Sequence, residues 1–138
     1  MRVTEIMTAD VETIAPMATI REAANKMKER NIGALPVSEN GQVIGMVTDR
    51  DLVLRTIAAG RSPSKTKVKD VMTHDIVYCF ADQTVDEACS LMTEHHIRRL
   101  AIFNRDRALV GVLSLEDIAI KTDEKLGGRV LKQVAGTA

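Results

Sequence analysis

Two short stretches hold the residue types best suited to binding chemistry. They read Gly45-Met-Val-Thr48-Asp-Arg-Asp51 and Gly111-Val-Leu-Ser114-Leu-Glu-Asp117. In each, a hydroxyl residue stands three positions before an aspartate. A carboxylate can accept two hydroxyl hydrogen bonds, and a charged acceptor makes the stronger ones. A helix that starts at the hydroxyl residue also offers amides to a phosphate. The same spacing serves a second purpose: Thr/Ser-x-x-Asp is close to a capping box, which stabilises a helix start with no ligand present. Spacing alone favours the cap, and the glycine that precedes both motifs keeps the binding reading open. The two readings coexist if a cap hydroxyl is shared on binding.

Other chemistry is poorly supported. No nucleophile-base pair, clustered metal ligands or Gly-Lys phosphate loop can be read from the chain, which argues against an enzyme. Cys79 and Cys89 are too few for a disulfide framework and read as small buried hydrophobes. His95 and His96 follow Glu94 at a predicted helix end, where cations suit the dipole, and are not read as metal ligands. His74 stands alone.

The 138 residues carry 19 basic and 19 acidic side chains, a formal net charge of zero. A protein that coats nucleic acid normally has a basic excess. Aromatic content is 2 %, too little for a base-stacking platform. The N-terminus shows no apolar signal segment, and no apolar run is long enough to span a membrane. A soluble, cytoplasmic protein with reduced cysteines is expected.

The elements that must position the two stretches are duplicated. Val3-Thr-Glu-Ile-Met7-Thr8 matches Val68-Lys-Asp-Val-Met72-Thr73 at an offset of 68 − 3 = 65. The offset persists through Thr19/Thr84, Glu22/Glu87, Met27/Met92 and Leu35/Leu100. After one inserted residue it becomes 111 − 45 = 66 and pairs Gly45, Thr48 and Asp51 with Gly111, Ser114 and Asp117. One copy alone is about 60 residues, where a single core is marginal. Two copies that share a core are the better solution.

Each copy reads β-α-β-β-α. In the first, residues 11–14 predict a strand. Thr19-x-x-Glu22 predicts a capped helix with an Ile20, Ala23, Ala24, Met27 stripe, stopped at Asn31 and Gly33. Residues 34–37 and 43–47 predict strands, Pro36 suggests an edge, and Thr48 opens a helix running to Gly60. The second copy predicts strands over 76–80, 99–103 and 109–113, and helices from Thr84 and Ser114. The expected organisation is repeat 1 over 1–60, a linker over 61–67, repeat 2 over 68–122, and a tail over 123–138. The mixed charges of residues 123–132 read as a solvated helix or frayed tail, with a short helix around 130–134.

With two such copies in order, the chain resembles a tandem pair of cystathionine-β-synthase-type (CBS) domains, a Bateman module. The closing Gly-x-x-Thr/Ser-x-x-Asp and the opening Val-x-x-Ile/Val-Met-Thr carry the resemblance over residues 1 to about 120. It implies an α/β (α+β) fold of two pseudo-symmetric repeats packed sheet to sheet. It also implies regulation by an adenine nucleotide (AMP, ADP or ATP) or S-adenosylmethionine, with no required cofactor and no catalysis. Ligands of the family lie in clefts between the copies. Carried over, Asp51 and Asp117 take ribose hydroxyls, and Thr48 and Ser114 lie near the ribose-phosphate. Met46 and Val112, with Ile76 and Val11, line the adenine pockets. Arg98 and Arg99 fall where relatives hold phosphate. The first copy has Gly33 and Ala34 there, so the two sites need not be equivalent.

The resemblance further implies a homodimer and an unidentified regulated partner. The alternative function is a structural or interaction module that binds no nucleotide, working through dimerisation or protein contacts.

Overall fold

The computed structural model describes residues 1–136. Five helices and five strands follow in order: α1 (Ile20–Arg30), β1 (Ala34–Glu39), β2 (Gln42–Thr48), α2 (Asp49–Leu52), β3 (Tyr78–Phe80), α3 (Val85–His95), β4 (Arg99–Phe103), β5 (Leu109–Ser114), α4 (Leu115–Lys121) and α5 (Glu124–Ala135). Two short 3-10 turns, Val3–Glu5 and Val68–Asp70, occupy the opening motifs.

The chain divides into two compact units. One is Met1–Val11 with Val77–Ala138; the other is Glu12–Ile76. The units are therefore offset from the sequence repeats. The opening motif of each repeat completes the unit built from the other repeat's helices and strands.

Matching backbone bonds make this exchange. In the first unit, Val3 N–H donates to Gln83 O at 3.0 Å and Val85 N–H to Met1 O at 2.9 Å. In the second, Val68 N–H donates to Ala18 O at 2.8 Å and Ile20 N–H to Thr66 O at 3.0 Å. Val3 and Val68 are fully buried in the respective cores.

The predicted caps form. Thr19 Oγ1 accepts from Glu22 N–H at 3.2 Å, and Thr84 Oγ1 from Glu87 N–H at 3.2 Å. Each satisfies an orphan amide, a contribution of about 1 kcal/mol. Asn31 and His96 take the left-handed position after α1 and α3, with φ of 52° and 51°. His96 is thus a helix terminator, as its equivalent Asn31 is.

One sheet is the antiparallel pair β1-β2; the other has the order β3-β4-β5, parallel then antiparallel. Both hairpins carry a bulge at the same place, after Val37 and after Ile102. Pro36 sits mid-strand opposite Met46. Its missing N–H costs no ladder bond, because the Met46 backbone turns the other way and pairs with Thr73.

Three expectations change. Residues 11–14 form no strand; only Ile14 bridges, to Val37. The helix after Thr48 is α for one turn and then widens into a π-helical turn, Val53–Ile57, closed by Ala58 N–H on Val53 O at 2.9 Å. The tail is neither frayed nor merely solvated through residue 135. It forms α5, which buries Gly127, Val130 and Val134. A Cβ at Gly127 would lie 2.9 Å from Ala119 Cα, so glycine permits the close approach of α5 to α4. Residues 137–138 of the expected tail lie outside the described residues.

Candidate functional site

Each closing motif sits at a strand-to-helix junction, and its strand side pairs with the opening motif that completes the same unit. Thr8 N–H donates to Val112 O at 2.9 Å, and Val112 N–H returns to Thr8 O at 3.0 Å. Thr73 N–H donates to Met46 O at 2.8 Å, and Met46 N–H returns to Thr73 O at 3.0 Å. The motif glycines make room for this pairing. A Cβ on Gly111 would lie 2.5 Å from Met7 Sδ and 2.9 Å from Thr8 O; one on Gly45 would lie 2.7 Å from Thr73 O.

The hydroxyl and carboxylate of each motif form a complete capping box. Thr48 Oγ1 accepts from Asp51 N–H at 3.2 Å, and Asp51 Oδ2 accepts from Thr48 N–H at 2.9 Å. Ser114 Oγ accepts from Asp117 N–H at 3.0 Å, and Asp117 Oδ2 accepts from Ser114 N–H at 3.0 Å. Neighbouring amides are also engaged: Asp49 N–H on Gly33 O at 2.9 Å, and Leu115 N–H on Arg98 O at 2.8 Å. The expectation of amides waiting for a phosphate is corrected here. Most of the amides at these helix starts already serve the fold.

What remains available is the other carboxylate oxygen and the hydroxyl hydrogens. The aspartate side chains are 14 % and 13 % exposed for Asp51 and Asp117. Asp51 Oδ1 has Arg55 Nε at 3.9 Å. Asp117 Oδ1 has Lys121 Nζ at 3.3 Å, and Thr8 Oγ1 donates weakly to Oδ1 and Oδ2 at 3.4 and 3.5 Å. A carboxylate has about four lone-pair positions, so each retains acceptor capacity for an incoming hydroxyl. Arg55, Lys121 and Thr8 were absent from the expected site; the repeat offset that pairs the motifs also pairs Arg55 with Lys121.

Arg99 lies directly opposite Ser114 in the β4-β5 ladder, and exposed Arg98 precedes it. Among the described residues neither forms an ion pair. Ala34 takes the corresponding place opposite Thr48. Of the four expected adenine-pocket residues, Val11 and Val112 belong to one unit, and Met46 and Ile76 to the other. Val11 and Ile76 are half-buried and lie in neither sheet.

Both cysteines are free and buried in the core of the first unit. Burial, with Glu87 adding to it, pushes the Cys79 thiol up to about 11. Burial also raises the Cys89 thiol, Asp86 adding to it and Arg129 opposing it. Both shifts disfavour the thiolate, so the packing role fits. Among the described residues, no group of three or more His, Cys, Asp and Glu is placed to hold a metal ion. Among the described residues, no helix is long and apolar enough to cross a membrane.

Two α/β units, each with a capped Gly-x-x-Thr/Ser-x-x-Asp junction, define a duplicated module. The chain belongs to the CBS domain family, whose model matches residues 3–56 and 68–121. It is 44 % identical over 118 residues to the CBS domain-containing protein YhcV of Bacillus subtilis (strain 168), covering 86 % of this chain and 83 % of that protein.

Hypoxic Response Protein I, whose crystal structure has two coordinated zinc ions, superposes with a TM-score of 0.79 at 31 % identity, over 89 % of this chain and 100 % of that one. The CBS domain pair of protein MJ0100, in complex with 5′-methylthioadenosine and S-adenosyl-L-methionine, superposes with a TM-score of 0.80 at 25 % identity, over 94 % and 98 %. CBS pairs of this kind are generally regulatory modules.

Proposed function

We propose that this CBS pair is a regulatory module, not an enzyme, that binds an adenine nucleotide or related adenosyl ligand and passes the resulting change to a partner protein. The observation that carries the proposal is the state of Asp51 and Asp117. One oxygen of each is committed to the helix cap, which fixes the carboxylate, while the other keeps acceptor capacity. A sugar diol supplies the donors such an oxygen takes. Thr48 and Ser114 accept one bond each and keep a hydrogen to donate toward the ribose-phosphate.

Val112 and Val11, and Met46 and Ile76, supply apolar contact for adenine. Arg98 and Arg99 serve a phosphate beside Ser114. With Gly33 and Ala34 in their place, the Thr48 site favours an adenosyl ligand without phosphate. The adenosyl ligands of the MJ0100 pair support this class.

Thermal shift with AMP, ADP, ATP and S-adenosylmethionine tests the proposal. A ligand at roughly 100 times its Kd stabilises by about 2.7 kcal/mol, several degrees at this chain length. No shift with any of the four would overturn it.

A second reading rests on the completeness of the caps without any ligand. In it the module works only through protein contacts. The exposed apolar residues Val53, Leu54 and Ile57 of the π-helical turn, and Ile120 of α4, support a homodimer in either reading.

A further inference from the structure

Two basic residues make the same pair of contacts, one in each unit. Lys121 stands four residues after Asp117. Its Nζ lies 3.3 Å from Asp117 Oδ1 and donates to Ile6 O at 3.0 Å. Arg55 stands four residues after Asp51. Its Nε lies 3.9 Å from Asp51 Oδ1, and its Nη1 donates to Val71 O at 3.0 Å and Met72 O at 3.4 Å.

Both ends of the contact correspond under the duplication. The cations are offset by 121 − 55 = 66, as the closing motifs are, and the carbonyls by 71 − 6 = 65, as the opening motifs are. Ile6 and Val71 are the residues that end the two 3-10 turns. A cation suits the carbonyl end of a helical turn. An ammonium has three donors and a guanidinium five, so either side chain can serve carbonyl and carboxylate together. Half-exposed ion pairs add little to stability. Their recurrence with two different side chains, matched at both ends, calls for a role beyond stability.

We propose that Arg55 and Lys121 are positioning residues: each holds its closing-motif carboxylate for a ligand hydroxyl and links the occupancy of that carboxylate to the opening turn of the same unit. The ligand part rests on the function proposed above. With Oδ2 on the cap amide and Oδ1 facing the cation, the carboxylate is held at both oxygens. A hydroxyl that arrives finds its acceptor already oriented. Coupling is reciprocal, so a bound hydroxyl that restrains the carboxylate also restrains the cation and the carbonyl it caps. Ligand binding then slows the opening of residues 3–8 or 68–73.

Hydrogen exchange on the full chain tests this, with and without AMP or S-adenosylmethionine. Without ligand, Lys121→Met is expected to speed exchange in residues 3–8 alone, and Arg55→Met in residues 68–73 alone, by about threefold to tenfold. Lys121→Arg and Arg55→Lys are expected to behave as the parent, because each repeat already uses the other's side chain. With ligand, the parent's turn slows; the Met variant of the responding unit loses that protection and binds roughly tenfold more weakly, and the Arg or Lys variant restores both.

Two results overturn the link: Met variants that match the parent in exchange and affinity, or variants that speed both turns equally, as general destabilisation would. If the parent binds neither probe, the ligand-holding role falls with the functional reading, while the crosswise pattern without ligand still decides the link itself.

Discussion

Thr8 and Val112 exchange both of their backbone hydrogen bonds, at 2.9 and 3.0 Å, although they come from the first and last parts of the chain. The same reciprocal pair of hydrogen bonds joins Thr73 to Met46. Each pairing lies beside a closing-motif glycine whose absent side chain makes it possible. The glycine of the motif therefore answers to close packing in the fold, not to a left-handed backbone.

Substitution of that glycine tests the pairing. Gly111→Ala forces a methyl to 2.9 Å from Thr8 O and 2.5 Å from Met7 Sδ. The Met7 side chain can move; the Thr8 backbone can move only by opening the bridge. A loss of about 1–3 kcal/mol is expected, read as a lower urea midpoint, with faster amide exchange at Thr8 and Val112.

Removal of a motif carboxylate separates its two duties. Asp117→Ala takes away the partner of Ser114 N–H and is expected to cost about 1 kcal/mol of stability with no ligand present. Binding of a responding ligand is expected to weaken by a further 1–3 kcal/mol or so. Urea unfolding measures the first effect and calorimetric titration with AMP the second. A stability loss with unchanged affinity leaves only the cap.

Acid sensitivity centres in part on Glu87. The Thr84 backbone N–H first, with Gln83 and the Thr84 hydroxyl, holds its carboxyl below the ordinary range. A carboxyl lowered in the folded state contributes stability above its unfolded pKa, and that contribution is lost as pH falls through the folded value. Asp82 behaves likewise, held down chiefly by hydrogen bonds from Arg105, at 2.8 Å to each oxygen. Glu87→Gln is therefore expected to flatten the acid limb of a urea-midpoint profile below the ordinary carboxylate range. Its effect at pH 7 is set by the neutral amide's poorer cap.

The thiols give an alkaline counterpart. Cys79 is raised from an ordinary value of 9.0 to about 11. Its contribution is full below the unfolded pKa and lost as pH rises through the folded one. At pH 8 iodoacetamide is expected to label neither Cys79 nor Cys89 in the folded protein and both in urea, as counted by mass spectrometry. Rapid labelling of the folded protein would contradict their packing role.

Self-association is tested on the exposed apolar helix residues. Ile57 and Ile120 are 65 % and 79 % exposed. If these faces join two copies, Ile57→Glu or Ile120→Glu shifts sedimentation from dimer to monomer with little change in monomer fold. A parent that sediments as a monomer at micromolar concentration would remove the proposal.

Much of the local structure was legible. Thr19 and Thr84 predict caps because the spacing to Glu22 and Glu87 lies within one turn, and those caps form. Strands over 34–37, 99–103 and 109–113 appear with ends moved by no more than two residues. The capping duty of Thr48 and Ser114 was one of two readings, and the structure contains it. The short helix expected around 130–134 lies within the longer α5; its earlier start was missed because the charges at 123–132 outweighed the spacing of Leu126, Val130 and Val134, an apolar line four residues apart. The stretch at 11–14 meets β1 only at Ile14, by two backbone hydrogen bonds to Pro36 and Ser38, and the length of such a pairing is a condition no local pattern states.

The duplication and its local elements follow from the order of residues alone, because capping and amphipathic periodicity act within a few positions. Which segments complete each core does not follow from that order. The cores draw Val3 to the helices and strands of the second repeat and Val68 to those of the first, through backbone bonds between distant segments. Lys121 meets Ile6, and Arg55 meets Val71, only after that exchange. Tertiary structure decided these contacts, because long-range pairing depends on which buried surfaces and unpaired amides come together, and local spacing carries no record of either.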